Sequence, residues 1–336
     1  LAIFTQPNTP SPSGAAFTTQ PAVQLRDQSG GAVAQSGVTV TASVPGGYAL
    51  VGSSSATTNA SGIATFANLG ITGPVGPVTI SFGAAGLTSV TANVTISGGA
   101  AAPLAKSAGD GQSGTVNTEV PTRPSVVVRD ASNNPLSGVA VTFSVTTGGG
   151  AVSSGGPFIN SVQATTDGSG VASVSWQLGT NAGSNSLNAA VAALPSVSFT
   201  ATGTAGVASQ LLVVTAPSSP SPSGAAFATQ PAIQRRDQFG NPVLVAGANV
   251  TATVPAGYSV VGNSATTASN GIATFSTLGV SGPAGPVTIT FSSGAASASA
   301  QITLGSGMPA TIAATLGDNQ SAIVNTTVAA QPTVEV

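Results

Sequence analysis

Cysteine and histidine are both absent from this 336-residue sequence, and charged residues make up only 4% of it. Without cysteine the chain has no disulfides, no thiolate metal ligands and no thiol nucleophile. Without histidine, most transition-metal sites and nearly every serine or cysteine triad lose an essential member. We therefore expect a protein that is not an enzyme, and we assign it no catalytic, cofactor-binding or metal-ligating residue and no cofactor.

The charge that is present is small and scattered. Six basic and eight acidic residues give a net charge of −2, which is too little to attract nucleic acid or an anionic membrane surface. No apolar run approaches the roughly 18 residues that cross a bilayer, and the chain opens on the strand-like segment LAIF instead of a secretion leader. We expect a mature or excised extracellular piece without a membrane span.

Apolar residues recur at every second position in many short segments, which is the pattern of half-buried strands. The clearest runs are Val139, Val141, Phe143 and Val145, and then Ala172, Val174, Trp176 and Leu178. The 43 glycines and 23 prolines fall largely in the turns between such runs, and no segment has a helical period. The pattern predicts an all-β protein built of immunoglobulin-like Greek-key β-sandwiches.

The sequence also repeats itself at long range. Residues 10–17, PSPSGAAF, recur unchanged at 220–227, and between these type A units lies a type B unit. Type B begins again near residue 308, because GDGQS at 109–113 is echoed by GDNQS at 317–321. We predict domains at 1–98 (type A), 99–206 (type B), 207–306 (type A) and 307–336 (the first strands of an incomplete type B sandwich). Junctions of a few residues predict sandwiches arranged end to end as a rod with limited bending.

Strand positions follow from the same alternation. In the first type A unit we predict seven strands, at 1–5, 20–27, 37–44, 54–58, 62–69, 76–83 and 89–97. In the terminal fragment we predict two, at 309–315 and 330–336. Two strands cannot bury their own apolar face. The fragment is therefore either cut from a longer repeat array or completed by strand addition in another subunit.

The type B unit resembles the bacterial immunoglobulin-like domains that occur in strings in invasin, intimin and other long bacterial surface proteins. The residues that carry the resemblance are VVRD at 127–130, NPLSGVAVTF at 134–143, TTDGSGVA at 165–172 and FTATG at 199–203. The type A units match more loosely, because Pro7, Pro10 and Pro12 depart from the family pattern. The resemblance implies spacer domains that hold a binding tip away from the cell, and no tip domain is visible here.

Candidate chemistry is confined to a few acidic positions. Most of the eight carboxylates occupy turn positions, where an aspartate accepts a hydrogen bond from the backbone N–H two residues on. The pairs Arg26-Asp27, Arg129-Asp130 and Arg236-Asp237 form either a clamp repeated on each domain or a strand-end arginine followed by a turn aspartate, and we favour the turn. Calcium at the junctions is an alternative for Asp110 and Asp318, but each loop offers one carboxylate where calcium takes six to eight oxygens.

Aromatic residues give little sign of a binding surface. Trp176 alternates with Val174 and Leu178, which predicts a core residue instead of a sugar platform. Tyr48 and Tyr258 each follow a Val-Pro-x-Gly segment and are either exposed contacts or caps over one end of a core.

These observations favour a non-enzymatic structural segment of a bacterial extracellular filament, fibre or surface stalk. Its expected partners are copies of itself, because Lys106 is the single lysine and edge strands carry almost no charge against lateral association. Two alternatives stay open. One is an adhesin module that binds host protein or glycan, and the other is a set of spacer domains from a secreted carbohydrate-active enzyme.

Overall fold

The computed structural model describes residues 1–307 and 311–335. Within those ranges the chain contains strands, turns and loops but no helix, so no described segment offers a long apolar helix of the kind that spans a bilayer. The prediction of an all-β protein of tandem sandwiches is confirmed.

The first sandwich contains ten strands: β1 Ala2–Thr5, β2 Ser11–Pro12, β3 Ala22–Gln24, β4 Thr39–Ser43, β5 Ala49–Val51, β6 Ser55–Thr57, β7 Ile63–Thr65, β8 Gly70–Thr72, β9 Gly76–Gly83 and β10 Val90–Ser97. They form a five-stranded sheet in the order β2-β10-β9-β4-β6, a three-stranded sheet β1-β3-β7 and the pair β5-β8. All pairings are antiparallel except that of β2 with β10, which is parallel.

The core of the first sandwich lies between these sheets. Val78, Ile80 and Phe82 alternate along β9 and are buried, because a strand places every second side chain on the same face. Phe66 packs against Phe82 with the ring centroids 5.1 Å apart and the rings tilted by 53°, an arrangement that aromatic pairs favour.

The second sandwich repeats this order with β11 Ala105–Ala108, β12 Gln112–Thr115, β13 Ser125–Val127, β14 Ala140–Thr147, β15 Ala151–Ser153, β16 Ser161–Thr165, β17 Val171–Ser173, β18 Ser175–Gln177, β19 Gly183–Ala190 and β20 Val197–Thr204. Its sheets are β12-β20-β19-β14-β16, β11-β13-β17 and β15-β18. Trp176, Phe143 and Phe199 are its largest buried side chains. The prediction that Trp176 is a core residue is confirmed.

The third sandwich contains β21 Gln210–Thr215, β22 Ser221–Pro222, β23 Ala232–Arg236, β24 Asn249–Thr253, β25 Ser259–Val261, β26 Ser264–Thr266, β27 Ile272–Thr274, β28 Gly279–Ser281, β29 Gly285–Ser293 and β30 Ala296–Gly305. Its sheets are β22-β30-β29-β24-β26, β21-β23-β27 and β25-β28, and it has a core of its own. The chain divides into two compact units, Leu1–Thr204 and the residues from Ala205 onward. The predicted boundaries at 98, 206 and 306 stay predictions.

The terminal segment forms a hairpin of β31 Ala313–Leu316 and β32 Thr333–Glu335. Its register reproduces that of β11 with β13, since Ala313 faces Glu335 as Ala105 faces Val127. The two predicted strands were displaced: β31 begins and ends later than the predicted 309–315, and β32 begins later than the predicted 330. Residues 309, 310 and 336 of these predictions lie outside the described residues. Val324 and Val334 are 87% and 62% exposed, whereas their counterparts Val116 and Val126 are buried in the second sandwich.

The seven strands predicted for the first sandwich were incomplete. Three short strands, β2, β5 and β8, were missed because runs of two or three residues are too short to show alternation. β3 and β7 were also predicted too long. The predicted strand 20–27 continues past β3 into an isolated bridge at Arg26 and the turn at Asp27, where the backbone leaves the sheet.

Candidate functional site: a polar joint between the first two sandwiches

The turn from Asp130 to Asn134, between β13 and β14, is fixed by one carboxylate. Asp130 is 4% exposed, and its Oδ1 accepts the backbone N–H groups of Ser132 and Asn134, each over 2.9 Å. Its Oδ2 accepts the Asn134 side-chain Nδ2–H and the backbone N–H of Gly99, each over 2.8 Å. Gly99 belongs to the linker that follows β10, so this carboxylate ties the linker to the second sandwich.

Asn134 extends the contact into the first sandwich. Its Nδ2 also donates to the carbonyl oxygen of Gly73 over 3.0 Å, and its Oδ1 accepts the backbone N–H of Val75 over 3.0 Å. Asn134 is 6% exposed, so its carboxamide is largely removed from water. Leaving this buried amide without its partners would cost free energy. The contact therefore favours the relative orientation of the two sandwiches in which these hydrogen bonds form.

Three hydroxyl groups complete the joint. Ser13 Oγ and Thr72 Oγ1 of the first sandwich lie 3.0 Å and 2.9 Å from Ser132 Oγ of the second. Ser13 Oγ also accepts the backbone N–H of Gly73 and donates to its carbonyl oxygen, each over 3.0 Å. The contact is thus made by neutral dipoles around a single charged group.

The linker itself fits only because it contains glycine. A Cβ atom on Gly99 would lie 2.2 Å from the backbone oxygen of Ser13, a distance that no side chain tolerates. The linker therefore passes directly over the first sandwich, which allows the Gly99 N–H to reach Asp130. We call this arrangement the polar joint; it is formed by Ser13, Thr72, Gly73, Val75, Gly99, Asp130, Ser132 and Asn134.

The Asp130 carboxyl is held in its ionised form. Burial on its own raises the pKa of Asp130, but hydrogen bonds from the Asn134 side chain and from the backbone N–H groups of Gly99, Asn134 and Ser132 outweigh it. The net effect lowers the pKa of Asp130 below its usual value, so the negative charge persists within a joint that contains no cation among its named groups.

The same turn occurs at the start of the third sandwich. Asp237 Oδ1 accepts the N–H groups of Phe239 and Asn241 over 2.9 Å, and its Oδ2 accepts Asn241 Nδ2–H over 2.9 Å and Gly206 N–H over 3.0 Å. Burial raises the pKa of Asp237, and the hydrogen bonds from Asn241, Gly206 and Phe239 together lower it further than burial raises it. The aspartate that binds the linker glycine is therefore a repeated device.

The first sandwich carries a reduced version of this turn. Asp27 Oδ1 accepts the N–H groups of Ser29 and Gly31 over 2.9 Å and 2.7 Å. Gly31 occupies the place of Asn134 and Asn241, so the carboxamide that bridges two sandwiches is missing from this turn.

The structure separates the two roles that the sequence offered for the Arg-Asp pairs. The turn role is confirmed for Asp27, Asp130 and Asp237, each of which accepts the backbone N–H two residues on, and Asp167 makes the same turn outside these pairs. Two of the arginines fold over their own turns: Arg26 and Arg129 donate to the carbonyl oxygens of Gly30 and Asn133, both over 2.9 Å. Arg236 instead donates to Gln234 Oε1 over 3.4 Å. Asp130 and Asp237 make one contact beyond the turn, because the second carboxylate oxygen of each accepts the N–H of a linker glycine.

The remaining candidates are placed as follows. Asp110 pairs with Lys106 over 2.5 Å, and this hydrogen bond is the main cause that lowers the pKa of Asp110, with the backbone N–H of Thr200 next. Asp318 accepts the N–H of Asn319. Within residues 1–307 and 311–335, no three acidic side chains gather where an ion would be held.

The two tyrosines act as caps. Tyr48 and Tyr258 are partly buried against the cores of the first and third sandwiches. A Cβ atom on Gly73 or Gly282 would meet the adjoining tyrosine ring at 2.5 Å or 2.3 Å. Tyr48 therefore supports the Gly73 backbone from beneath, on the segment that receives Asn134.

Several solved structures of bacterial proteins are similar to this chain. Invasin, described as a bacterial integrin-binding protein, is 18% identical with a TM-score of 0.37, over 91% of this chain and 60% of its own. InvD of Yersinia pseudotuberculosis is 16% identical with a TM-score of 0.38, over 91% of this chain and 98% of its own. A β-glucuronidase of Parabacteroides merdae also aligns, at 14% identity and a TM-score of 0.23, over 58% of this chain and 24% of its own.

No protein-family model matches the sequence, and no curated protein is detectably similar to it. The structural similarities assign the chain to no family.

Proposed function

We propose that this chain is a non-enzymatic structural segment of a bacterial extracellular stalk, fibre or filament, in which the polar joint sets the direction of one sandwich relative to the next. The observation that carries the proposal is the Asp130 carboxylate, which accepts four hydrogen bonds and joins the linker at Gly99 to the turn that contacts the first sandwich. A glycine-containing linker without such contacts behaves as a flexible coil.

The contacts across the joint come from both partners at several points. Asn134 bonds Gly73 and Val75, and Ser132 bonds Ser13 and Thr72. Contacts that are not collinear resist both bending and twisting. A segment with such joints transmits position over its length, which is what a stalk requires and what an enzyme does not.

Self-association is the second part of the proposal. The outer strands β1 and β21 expose Phe4 (57%) and Val214 (49%), and the terminal hairpin exposes Val324 and Val334. Unpaired strand edges with apolar side chains and almost no lysine favour pairing with another chain. The proposed partner is a second copy, through lateral edges or through strand addition at the hairpin.

An adhesin role is the second candidate, and one loop favours it. Phe158 and Ile159, adjacent residues between β15 and β16, are 37% and 47% exposed. Neighbouring exposed apolar side chains on a loop are a small contact surface of the type used at protein interfaces. Glycan and matrix-protein arrays probed with the wild type and with a Phe158→Ser variant test this candidate.

The stiffness of the joint is tested by distance measurement between spin labels. Because the chain has no cysteine, Ser61→Cys and Ser184→Cys place one label on each of the first two sandwiches, and both positions are exposed. We expect a distance distribution as narrow as that of the control pair Ser169→Cys and Ser184→Cys inside the second sandwich. We expect Asn134→Ala to broaden the first distribution and leave the control unchanged. A broad distribution across the joint in the wild-type background would contradict the stalk.

Self-association has a separate test. Electron microscopy and sedimentation of the purified chain should show filaments or concentration-dependent oligomers, and Phe4→Lys with Val214→Lys should reduce them. Monomers at all concentrations would contradict this part of the proposal while leaving the stiffness result standing.

A further inference from the structure

The third sandwich repeats the surface with which the first sandwich receives the second. In the first sandwich this acceptor surface consists of Ser13, Thr72, Gly73, Val75 and the linker residue Gly99. The corresponding residues of the third are Ser223, Ser281, Gly282, Ala284 and Gly307. Both hydroxyl positions are kept, as are the glycine that faces the tyrosine cap and the glycine of the linker.

The backbone of the two acceptor surfaces has the same internal bonds. Ser223 Oγ accepts the N–H of Gly282 over 3.0 Å and donates to its carbonyl oxygen over 2.9 Å, as Ser13 does with Gly73. In both sandwiches the serine hydroxyl group and the glycine carbonyl oxygen therefore have the same position relative to each other. The surface in the third sandwich is formed without a partner.

The linker also follows the same course. Leu304 of β30 faces Ser221 of β22 as Ile96 faces Ser11, so Gly307 occupies the place of Gly99. A Cβ atom on Gly307 would lie 3.3 Å from the backbone oxygen of Ser223, which is the counterpart of the Ser13 oxygen that adjoins Gly99 in the first sandwich. The N–H of Gly307 is thus the counterpart of the N–H that binds Asp130.

Two donors of this surface are unused. Among residues 1–307 and 311–335, the N–H groups of Ala284 and Gly307 have no hydrogen-bond acceptor, whereas their counterparts on Val75 and Gly99 bind Asn134 and Asp130. Ser223 is also only partly buried, whereas Ser13 lies buried beneath the second sandwich at 8% exposure.

We propose that this surface binds the Asp-x-Ser-x-Asn turn of a type B sandwich, which the second sandwich carries from Asp130 to Asn134. The aspartate would accept the Gly307 N–H, and the asparagine would accept from Ala284 and donate to Gly282. The serine would bond the Ser223 and Ser281 hydroxyl groups. The inference rests on the joint that carries the proposed function, and it adds the partner's identity.

The partner is of type B and not of type A for two reasons. Neither type A turn matches, because that of the third sandwich has Phe239 in place of Ser132, and that of the first sandwich has Gly31 in place of Asn134. In addition, β31 and β32, which follow Gly307 in the sequence, already form the type B hairpin, with the register of β11 and β13.

The test extends the chain with a type B sandwich and traps the contact. In the extended chain, residues after Gly307 are replaced by a second copy of residues 100–206. Ser223→Cys is combined with Ser132→Cys in the appended copy, because the corresponding hydroxyl groups in the first joint are 3.0 Å apart, near enough for a disulfide after small shifts. We expect a disulfide on mild oxidation, seen as a mass loss of about 2 Da and a peptide cross-link.

One control chain decides what a failure means. The pair Ser13→Cys with Ser132→Cys of the first type B sandwich, in the same extended chain, tests the joint that carries the proposed function. If this pair closes and the Ser223 pair does not, the inference is overturned and the proposed function stands. If neither closes, the joint itself is wrong and both are overturned.

Specificity is tested by position and by side chain. Ser184 is the control position. Ala190, at one end of β19, faces Thr142 near the beginning of β14, whereas Ser184 lies at the other end of β19. A cysteine at Ser184 of the appended copy should therefore not close with Ser223→Cys. Asn134→Ala in the appended copy should slow closure at least tenfold, and an unchanged rate would contradict the proposed contacts. The same cysteine pair is also tested in a second extended chain, the 336 residues followed by residues 129–206. In that chain the native hairpin forms the first strands of the type B sandwich.

Discussion

Asn134 and Val75 lie in different sandwiches, yet the backbone N–H of Val75 donates to Asn134 Oδ1 over 3.0 Å. The same carboxamide donates to Asp130 within its own sandwich and to Gly73 across the joint. One side chain therefore satisfies its donors and its acceptor only when both sandwiches are in place. This makes the orientation of the joint part of the folded structure.

Removing this carboxamide should release the Val75 amide. With Asn134→Ala, Val75 N–H loses its acceptor, and the loss of a buried hydrogen-bonded group costs about 1–3 kcal/mol. We expect hydrogen exchange at Val75 to accelerate by about tenfold or more, measured by NMR, since 1.4 kcal/mol is a factor of ten. The Val33 amide, which donates to Leu25 inside the first sandwich, is the control and should not change. Equal protection of Val75 in both proteins would contradict the joint.

Acid should loosen the joint in a defined range. The folded protein lowers the pKa of Asp130 and of Asp237, so their ionised forms contribute stability above the unfolded value of about 3.9. That contribution is lost as the pH falls below this value and through the lowered pKa values. Urea unfolding from pH 7 to pH 2 should show this loss, and Asp130→Asn should reduce both the stability at pH 7 and its dependence on acid. An identical acid dependence in Asp130→Asn would count against the assignment.

A disulfide should form across the joint in the natural chain. Ser13→Cys with Ser132→Cys places two thiols where the hydroxyl oxygens are 3.0 Å apart, in a protein with no other cysteine. We expect closure on mild oxidation and a higher melting temperature, because the cross-link restricts the unfolded chain. Ser13→Cys with Ser184→Cys is the matched control, and closure of both pairs at similar rates would show that the sandwiches move freely.

Adding a methyl group beneath the joint should destabilise it through Tyr48. A Cβ on Gly73 would lie 2.5 Å from the Tyr48 ring, so Gly73→Ala should cost about 1–3 kcal/mol as an overpacked site. Combining it with Tyr48→Ala should recover part of that cost in a double-mutant cycle. Gly46→Ala meets nothing within 4 Å and should leave the free energy of unfolding nearly unchanged. Additive costs for Gly73→Ala and Tyr48→Ala would argue against this contact.

The alternation of apolar residues was enough to predict the sheets. It located β9 and β10, because long strands with one solvent-exposed face show an alternation of apolar and polar residues in the sequence. It also predicted the burial of Trp176, because the alternation from Ala172 to Leu178 continues across the two short strands β17 and β18. It missed β5 and β8, whose three residues each carry no period.

The joint was harder to predict than the strands. The sequence identified Asp130 as a turn residue, and Asp27 makes the same turn. What distinguishes them is the fifth residue of the turn, Asn134 against Gly31, whose carboxamide acts on backbone groups of another sandwich. Almost every residue carries a backbone donor and acceptor, so nothing in the sequence indicated which backbone groups of the first sandwich Asn134 binds. The recurrence of asparagine at 134 and 241 was the one available signal.

The polar joint holds its parts with amides and hydroxyl groups around one carboxylate, and no arginine or lysine takes part in the bonds described. Mobile ions weaken attractions between separated opposite charges, but they act little on short contacts between neutral groups shielded from water. Two sandwiches joined in this way would keep their relative orientation from fresh water to brine.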